Sequence, residues 1–179
     1  MCRPKYDIFT KTTSLLLMNP LNEYSRFLSP PQLDPICDLH VLIGPPIELG
    51  QTSNGIRRII PITGGSVQGA INGSILAGGS DTQLLLNQGQ EGHLDARYVI
   101  QTAEGESIFV KNKALRVMSI ENSLKMMRAE RVNPDEIYFR CQPQFETSSQ
   151  RLKWLNEHQF IGCGVRLPDA VLLRFFKVI

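Results

Sequence analysis

From Ile36 onward, turn residues punctuate the chain at short intervals, and this spacing constrains the fold more than any other feature. Gly44-Pro45-Pro46, Asn54-Gly55, Gly64-Gly65, Asn72-Gly73, Gly78-Gly79 and Glu104-Gly105-Glu106 separate runs rich in β-branched and aromatic residues. Asn-Gly and Gly-Gly supply the positive φ that tight hairpin turns demand. The pattern predicts strands over 37–43, 57–63, 66–71, 74–77, 81–87, 93–102, 107–118, 136–145, 159–166 and 170–178. Two helices interrupt it. One is expected over 119–131, with Ser119 as N-cap and Asn133-Pro134 as its stop, and a shorter one over 148–158. Nearly every connection is shorter than the dozen or so residues that a parallel crossover needs, so the sheet is antiparallel. Several strands are long, and closure removes exposed edges. The expected fold class is therefore all-β, a single antiparallel β-barrel of about 8–10 strands with one or two short helices.

The chain has 179 residues, enough for one such domain plus an extension. The barrel is expected over 36–179. Residues 1–35, broken by Pro30, Pro31 and Pro35, are expected to form an N-terminal arm that packs on the domain or frays, with a lid or dimer arm as the functional alternative. A homodimer through that arm is one option, and a monomer fits equally well.

Charge and motifs narrow the function classes. Nineteen basic residues stand against 17 acidic ones, a net charge of +2, with no basic run longer than Arg57-Arg58; no nucleic-acid partner is expected. Leu15-Leu16-Leu17-Met18 is too short for a membrane span or a signal core, so no membrane partner and a cytoplasmic location are expected. Cys2, Cys37, Cys141 and Cys163 are widely spaced, without CxxC, and are read as reduced thiols. His40, His93 and His158 are scattered, so no metal is expected, although His93 at a strand start could act as a base at the barrel mouth. The glycine pairs lack GxGxxG or Walker spacing, and GxSxG is absent, so no cofactor is expected. Arg57-Arg58 could meet an anionic ligand at the barrel mouth, or could lie on a solvated edge.

Alternation divides each strand into two rows. Over 94–102, Asp95, Arg97 and Val99 oppose Leu94, Ala96, Tyr98 and Ile100. Over 137–145, Tyr138, Arg140 and Gln142 oppose Ile137, Phe139 and Cys141. A polar row suits a ligand-holding interior and suits a solvated outer face equally.

Six segments carry a resemblance. Gly55–Gly65 (Gly-Ile-Arg-Arg-Ile-Ile-Pro-Ile-Thr-Gly-Gly), Gly78-Gly79-Ser80-Asp81, Leu94-Asp95-Ala96-Arg97-Tyr98, Tyr138-Phe139-Arg140, Pro143-Gln144-Phe145-Glu146-Thr147 and Trp154-Leu155-Asn156 resemble, in order and spacing, the family called domain of unknown function 3237. The resemblance runs from about Leu39 to the C-terminus and implies a compact antiparallel barrel with an internal cavity and no established general activity. Two departures stand out: Phe109 where a tyrosine is expected, and Gln83 after Asp81-Thr82, where an aromatic residue is usual nearby.

If such a cavity is lined by polar groups from these segments, Tyr98, Arg140 and Glu146 are the catalytic candidates. A desolvated carboxylate can move protons, an arginine can orient a carboxylate or enolate, and a tyrosine can donate a proton. Asp81, Asp95, Arg97, Phe109, Tyr138 and Trp154 are the ligand-binding candidates. Alternatively, an Arg–carboxylate pair fixes the barrel register, and Trp154 plugs one barrel end. Two readings follow. One is a cofactor-independent isomerase, cyclase or lyase acting on a small, largely apolar organic molecule, possibly in secondary metabolism. The other is a non-catalytic, lipocalin-like binder of such a molecule.

Overall fold

A computed structural model describes residues 24–179. Most of the expected N-terminal arm, including Cys2, lies outside the described residues. Residues 24–31 belong to a separate unit, in which Ser25–Phe27 makes one 3₁₀ turn and the Arg26 guanidinium sits 4.6 Å over the Phe27 ring.

The unit Gln32–Ile179 contains ten strands: β1 (Leu33–Ile43), β2 (Ile47–Thr52), β3 (Gly55–Gly69), β4 (Gly73–Ile75), β5 (Gly79–Leu86), β6 (Glu91–Thr102), β7 (Ser107–Val117), β8 (Tyr138–Thr147), β9 (Phe160–Arg166) and β10 (Ala170–Val178). Helix α1 (Ile120–Met127) lies between β7 and β8. Every pairing is antiparallel. Eight strands close in the order β1-β10-β9-β8-β7-β6-β5-β3, with β3 returning to β1; β4 bridges β3 and β6, and β2 flanks β3. The expected barrel is present.

Gly64-Gly65 is not a turn as expected. One strand, β3, runs through it, with φ of +150° and +143° at the two glycines. The register against β1 slips there, Leu42 facing Gly64 but Ile43 facing Ile62, and the resulting bulge bends β3 around the barrel. A Cβ at Gly65 would collide with the His40 carbonyl oxygen, so this corner admits no side chain. Strand β2 was not expected, because Ile47–Thr52 is almost wholly exposed and carries no buried alternation.

The helices are shorter than expected. Ser119 is the N-cap of α1, its Oγ accepting from the Asn122 amide at 3.2 Å. The helix ends at Met127, ahead of the proline, because Ala129 takes φ +57°. Ser123 Oγ donates to the Gln88 carbonyl at 3.0 Å and so ties α1 to the β5–β6 connection. Over 148–158 the only helical piece is a 3₁₀ turn, Lys153–Asn156.

Inside the barrel, period-2 alternation packs two unlike regions. Toward one end Phe145 meets Phe160 edge-on at 4.9 Å and Phe175 at 5.9 Å, above Ile100, Ile108 and Val110, which have no exposed surface. Leu152 and Leu155 close this end, and the Trp154 ring lies tilted at 6.0 Å from Phe160. No helix among the described residues is long and apolar enough to cross a membrane.

Candidate functional site

The other half of the interior sets a few polar side chains among apolar ones. Asp81 and Gln83 on β5, Tyr98 on β6, Asn112 on β7 and Arg166 on β9 line a cavity of about 50 Å³ walled by Val41, Ile60, Leu94 and Phe139. That is room for a few waters or one small head group. Arg58 from β3 and Arg116 from β7 face each other beside it, under Leu85 and Met126. Arg58 Nε donates to Gln83 Oε1 at 2.9 Å, and Gln83 Nε2 donates to Asp81 Oδ2 at 2.6 Å. This chain fixes the Gln83 amide and leaves Asp81 Oδ1 bare.

Among the described residues, the buried polar side-chain atoms without a hydrogen-bond partner are Asp81 Oδ1, Tyr98 OH, Asn112 Oδ1 and Arg116 Nε. All four belong to this region. A buried polar atom left unpaired costs about 1–3 kcal/mol, so four together mark a place where water or a ligand completes the bonding. Tyr98 and Arg116 are each 2% exposed and Asn112 5%, so solvent at the surface does not serve them.

Burial pushes the Asp81 carboxyl above its ordinary range; the Gln83 hydrogen bond, the nearby Arg116, the Asp95 backbone N–H and Arg58 pull the other way without cancelling it. Burial, reinforced by Arg58, brings Arg116 and Arg166 each down to about 10. The Tyr98 phenol is raised well above its usual value, first by burial and then by the nearby thiols of Cys141 and Cys37. Those two thiols are themselves pushed up to about 12 by burial and are poor nucleophiles. Cys37, Cys141 and Cys163 carry free thiols.

A second hollow, of about 570 Å³, leads outward from Arg58 and Arg166. The β1–β2 connection (Pro45, Pro46), α1 (Met126, Met127) and the β9–β10 turn (Pro168, Asp169) form its walls. Ile43, Ile60 and Arg166 line both spaces, so the hollow is the mouth of the inner cavity.

The catalytic trio expected from the sequence is not assembled. Tyr98 points inward, but Arg140 and Glu146 sit on the outer face of β8. Arg140 lies 5.3 Å over the exposed Tyr138 ring and donates to the Phe139 carbonyl at 3.0 Å, while Glu146 pairs with Lys111 at 2.8 Å. On β8 the inward row is Phe139, Cys141, Pro143 and Phe145, which leaves the even-numbered residues to solvent.

Of the ligand-binding candidates, only Asp81 lines the cavity. Asp95 and Arg97 pair with each other on the outer face at 3.4 Å. Phe109 lies outside, its ring 5.7 Å below Lys111 Nζ, and Trp154 caps the apolar end. His93 is exposed and bonded to Glu91 at 2.6 Å, not at the mouth. Among the described residues no cluster of His, Cys, Asp and Glu could hold a metal.

Arg58, of the Arg57-Arg58 pair weighed for an anion at the mouth or for a solvated edge, lines the mouth, whereas Gln83, Asn112, Arg116 and Arg166 were missed as site residues. Each lies in phase with its strand's apolar row: Arg58 with Ile60 and Ile62, Gln83 with Leu85, Asn112 and Arg116 with Ile108 and Val110, Arg166 with Phe160. A polar residue interrupting an apolar row was the available signal. Gln83, one of the two departures noted in the sequence, stands in the centre of the site.

The chain matches the family model described as "Protein of unknown function (DUF3237)" over residues 31–178. A UPF0311 protein of Bradyrhizobium diazoefficiens is 39% identical over 136 residues, which cover 76% of this chain and 89% of that protein. The crystal structure of a conserved protein of unknown function from Rhodopseudomonas palustris superposes with a TM-score of 0.79 at 33% identity, covering 84% of this chain and 98% of that one. More distant is a hydroalkoxylation enzyme of Penicillium herquei, 23% identical over 154 residues, 84% of this chain and 85% of that protein. By the span of its model match and the shared barrel, the chain belongs to the DUF3237 family.

Proposed function

We propose that the protein is a cofactor-independent enzyme that moves protons on a small organic molecule held at the polar end of its barrel. The bare Asp81 Oδ1, set among other unpaired buried atoms, carries this reading. A carboxyl raised by burial exchanges protons nearer neutrality than a solvated one does. Asp81 takes a proton from a carbon or hydroxyl of the substrate, and the oxyanion that develops is met by the guanidiniums of Arg116 and Arg166. Returning the proton at another atom completes an isomerisation, or an internal addition of O–H across a C=C bond. Neither consumes an oxidant, a reductant or a nucleotide. Hydroalkoxylation, named for the Penicillium herquei relative, is an addition of this kind.

The rival reading, a barrel that only stores its ligand, needs an interior large enough to enclose it. The inner cavity is about 50 Å³. It suits a reacting head group better than a whole cargo molecule.

The test is proton exchange into a panel of enolisable and phenolic aromatic compounds in deuterated water, followed by mass spectrometry. Wild type is expected to label at least one compound, and Asp81→Asn to abolish the labelling. An inactive wild type across the panel, or an Asp81→Asn variant that labels as fast, overturns the proposal.

A further inference from the structure

Arg58 and Arg166 line the inner end of the mouth, Arg116 borders a gap of about 10 Å³ beside it, and three acids stand near the three guanidiniums. Arg58, Arg116 and Arg166 lie close enough that each of the latter two is depressed by Arg58. The acidic groups facing them are Asp81 inside, Glu48 on β2 and Asp169 on the β9–β10 turn. Glu48 reaches Arg58 only at 3.8 Å and its side chain is 55% exposed, while Arg166 spends one N–H on the Ala170 carbonyl at 3.1 Å. Arg116 is 2% exposed, and its Nε has no partner among the described residues.

A structural arginine this deep is normally bonded in full, because a buried guanidinium with unmet N–H groups is costly. Here the unmet donor belongs to a side chain that borders a gap of about 10 Å³, and that gap shares Arg58, Leu85, Met126 and Met127 with the mouth. Pro45, Pro46, Met126, Met127 and Pro168 give the mouth its apolar wall, and Glu48 and Asp169 are the carboxylates in its lining. Methionines conform to irregular apolar shapes, which suits a ring system more than a chain of hydroxyls.

We infer that the substrate carries one anionic oxygen group, a carboxylate or a phenolate, on an apolar, ring-containing body. It enters head first, so that the anion lies against Arg116 and Arg166 while the body fills the mouth. This deepens the proposed function by naming its substrate class and rests on the same site. The anion supplies the acceptors that Arg116 lacks, and the small inner cavity admits only the head. Pairing deep in the barrel is screened little by salt.

Calorimetric titration of the full chain with 2-naphthoate and with the uncharged 2-naphthamide tests the inference. Naphthoate is expected to bind at least tenfold more tightly, with the preference surviving 0.5 M salt. Arg116→Met and, separately, Arg166→Met are expected to erase the preference while leaving amide binding in place; both remove a buried charge, so the variants should fold. Asp81→Asn is expected to bind naphthoate as well as wild type or better, although it abolishes proton exchange. Equal binding of the two probes, or a preference untouched in both arginine variants, overturns the inference. Anion preference without any exchange would sink the enzyme proposal and leave the ligand class standing, so the two fail separately.

Discussion

At one end of the barrel Phe145, Phe160 and Phe175 close on one another over Leu152 and Leu155; at the other, Arg58, Arg116 and Arg166 surround Asp81. The same strands build both ends. Strand β7 gives Ile108 and Val110 to the first and Asn112 and Arg116 to the second, all in one inward row. β9 does likewise, from Phe160 at the apolar end to Arg166 at the polar one. Alternation decides which side chains are inside; it does not decide that the inside be dry. The apolar end holds the barrel together, and that leaves the polar end free to carry groups that cost stability.

The comparison breaks first at Asp81. On the proposed reading, Asp81→Asn lowers proton exchange by about 10²–10⁴-fold, the usual worth of a positioned acid or base. The same change is expected to raise thermal stability at pH 7. Because the folded-state value of Asp81 is raised, its ionisation penalises the folded state, and the contribution to stability is fully present below the unfolded value and lost as pH rises through the folded one. The variant's advantage should thus grow as pH rises through the raised folded value and shrink as pH falls toward the ordinary carboxylate range. Melting curves of both proteins across this range measure it.

At the apolar end the sign reverses. Phe175 has no exposed surface and touches Phe145, so Phe175→Ala is expected to cost about 3–5 kcal/mol by urea denaturation. Arg116 sits nearly as deep, but Arg116→Met is expected to cost clearly less, since it removes a buried guanidinium whose Nε is unpaired while Asp81 keeps Arg58 and Arg166 beside it. A loss of stability in Arg116→Met comparable to that of Phe175→Ala would erase the distinction between the two ends.

The contrast also explains what could be read from the sequence. Turn residues at Asn54-Gly55, Gly78-Gly79 and Glu104-Gly105-Glu106 are local chemistry, and they marked the antiparallel barrel correctly. Gly64-Gly65 has the same composition and bends a strand instead, because the choice between turn and bulge lies in the β1 backbone packed against it. The site was harder still. Polar rows such as Asp95/Arg97 and Tyr138/Arg140 attract attention as potential pocket linings, yet they are the solvent face. Asn112 and Arg116 in an apolar row look like interruptions of a core. That Arg58, Asp81, Arg116 and Arg166, from four strands, meet in one place is a property of barrel closure, which no local spacing records.

The smallest expected effect lies on the outer face, and it separates inside from outside as sharply as the large ones separate the two ends. Glu146 is paired with Lys111 at 2.8 Å, but the two side chains are 64% and 40% exposed. Water competes for both partners, and exposed pairs of this kind contribute about 0–1 kcal/mol. Glu146→Gln is therefore expected to shift stability by no more than about 0.5 kcal/mol and to leave proton exchange at the wild-type rate. A large loss of exchange in Glu146→Gln with the fold intact would move the chemistry to the outer face of β8. Retained exchange, beside its loss in Asp81→Asn, would tie it to the interior, which Asp81 lines and Glu146 does not.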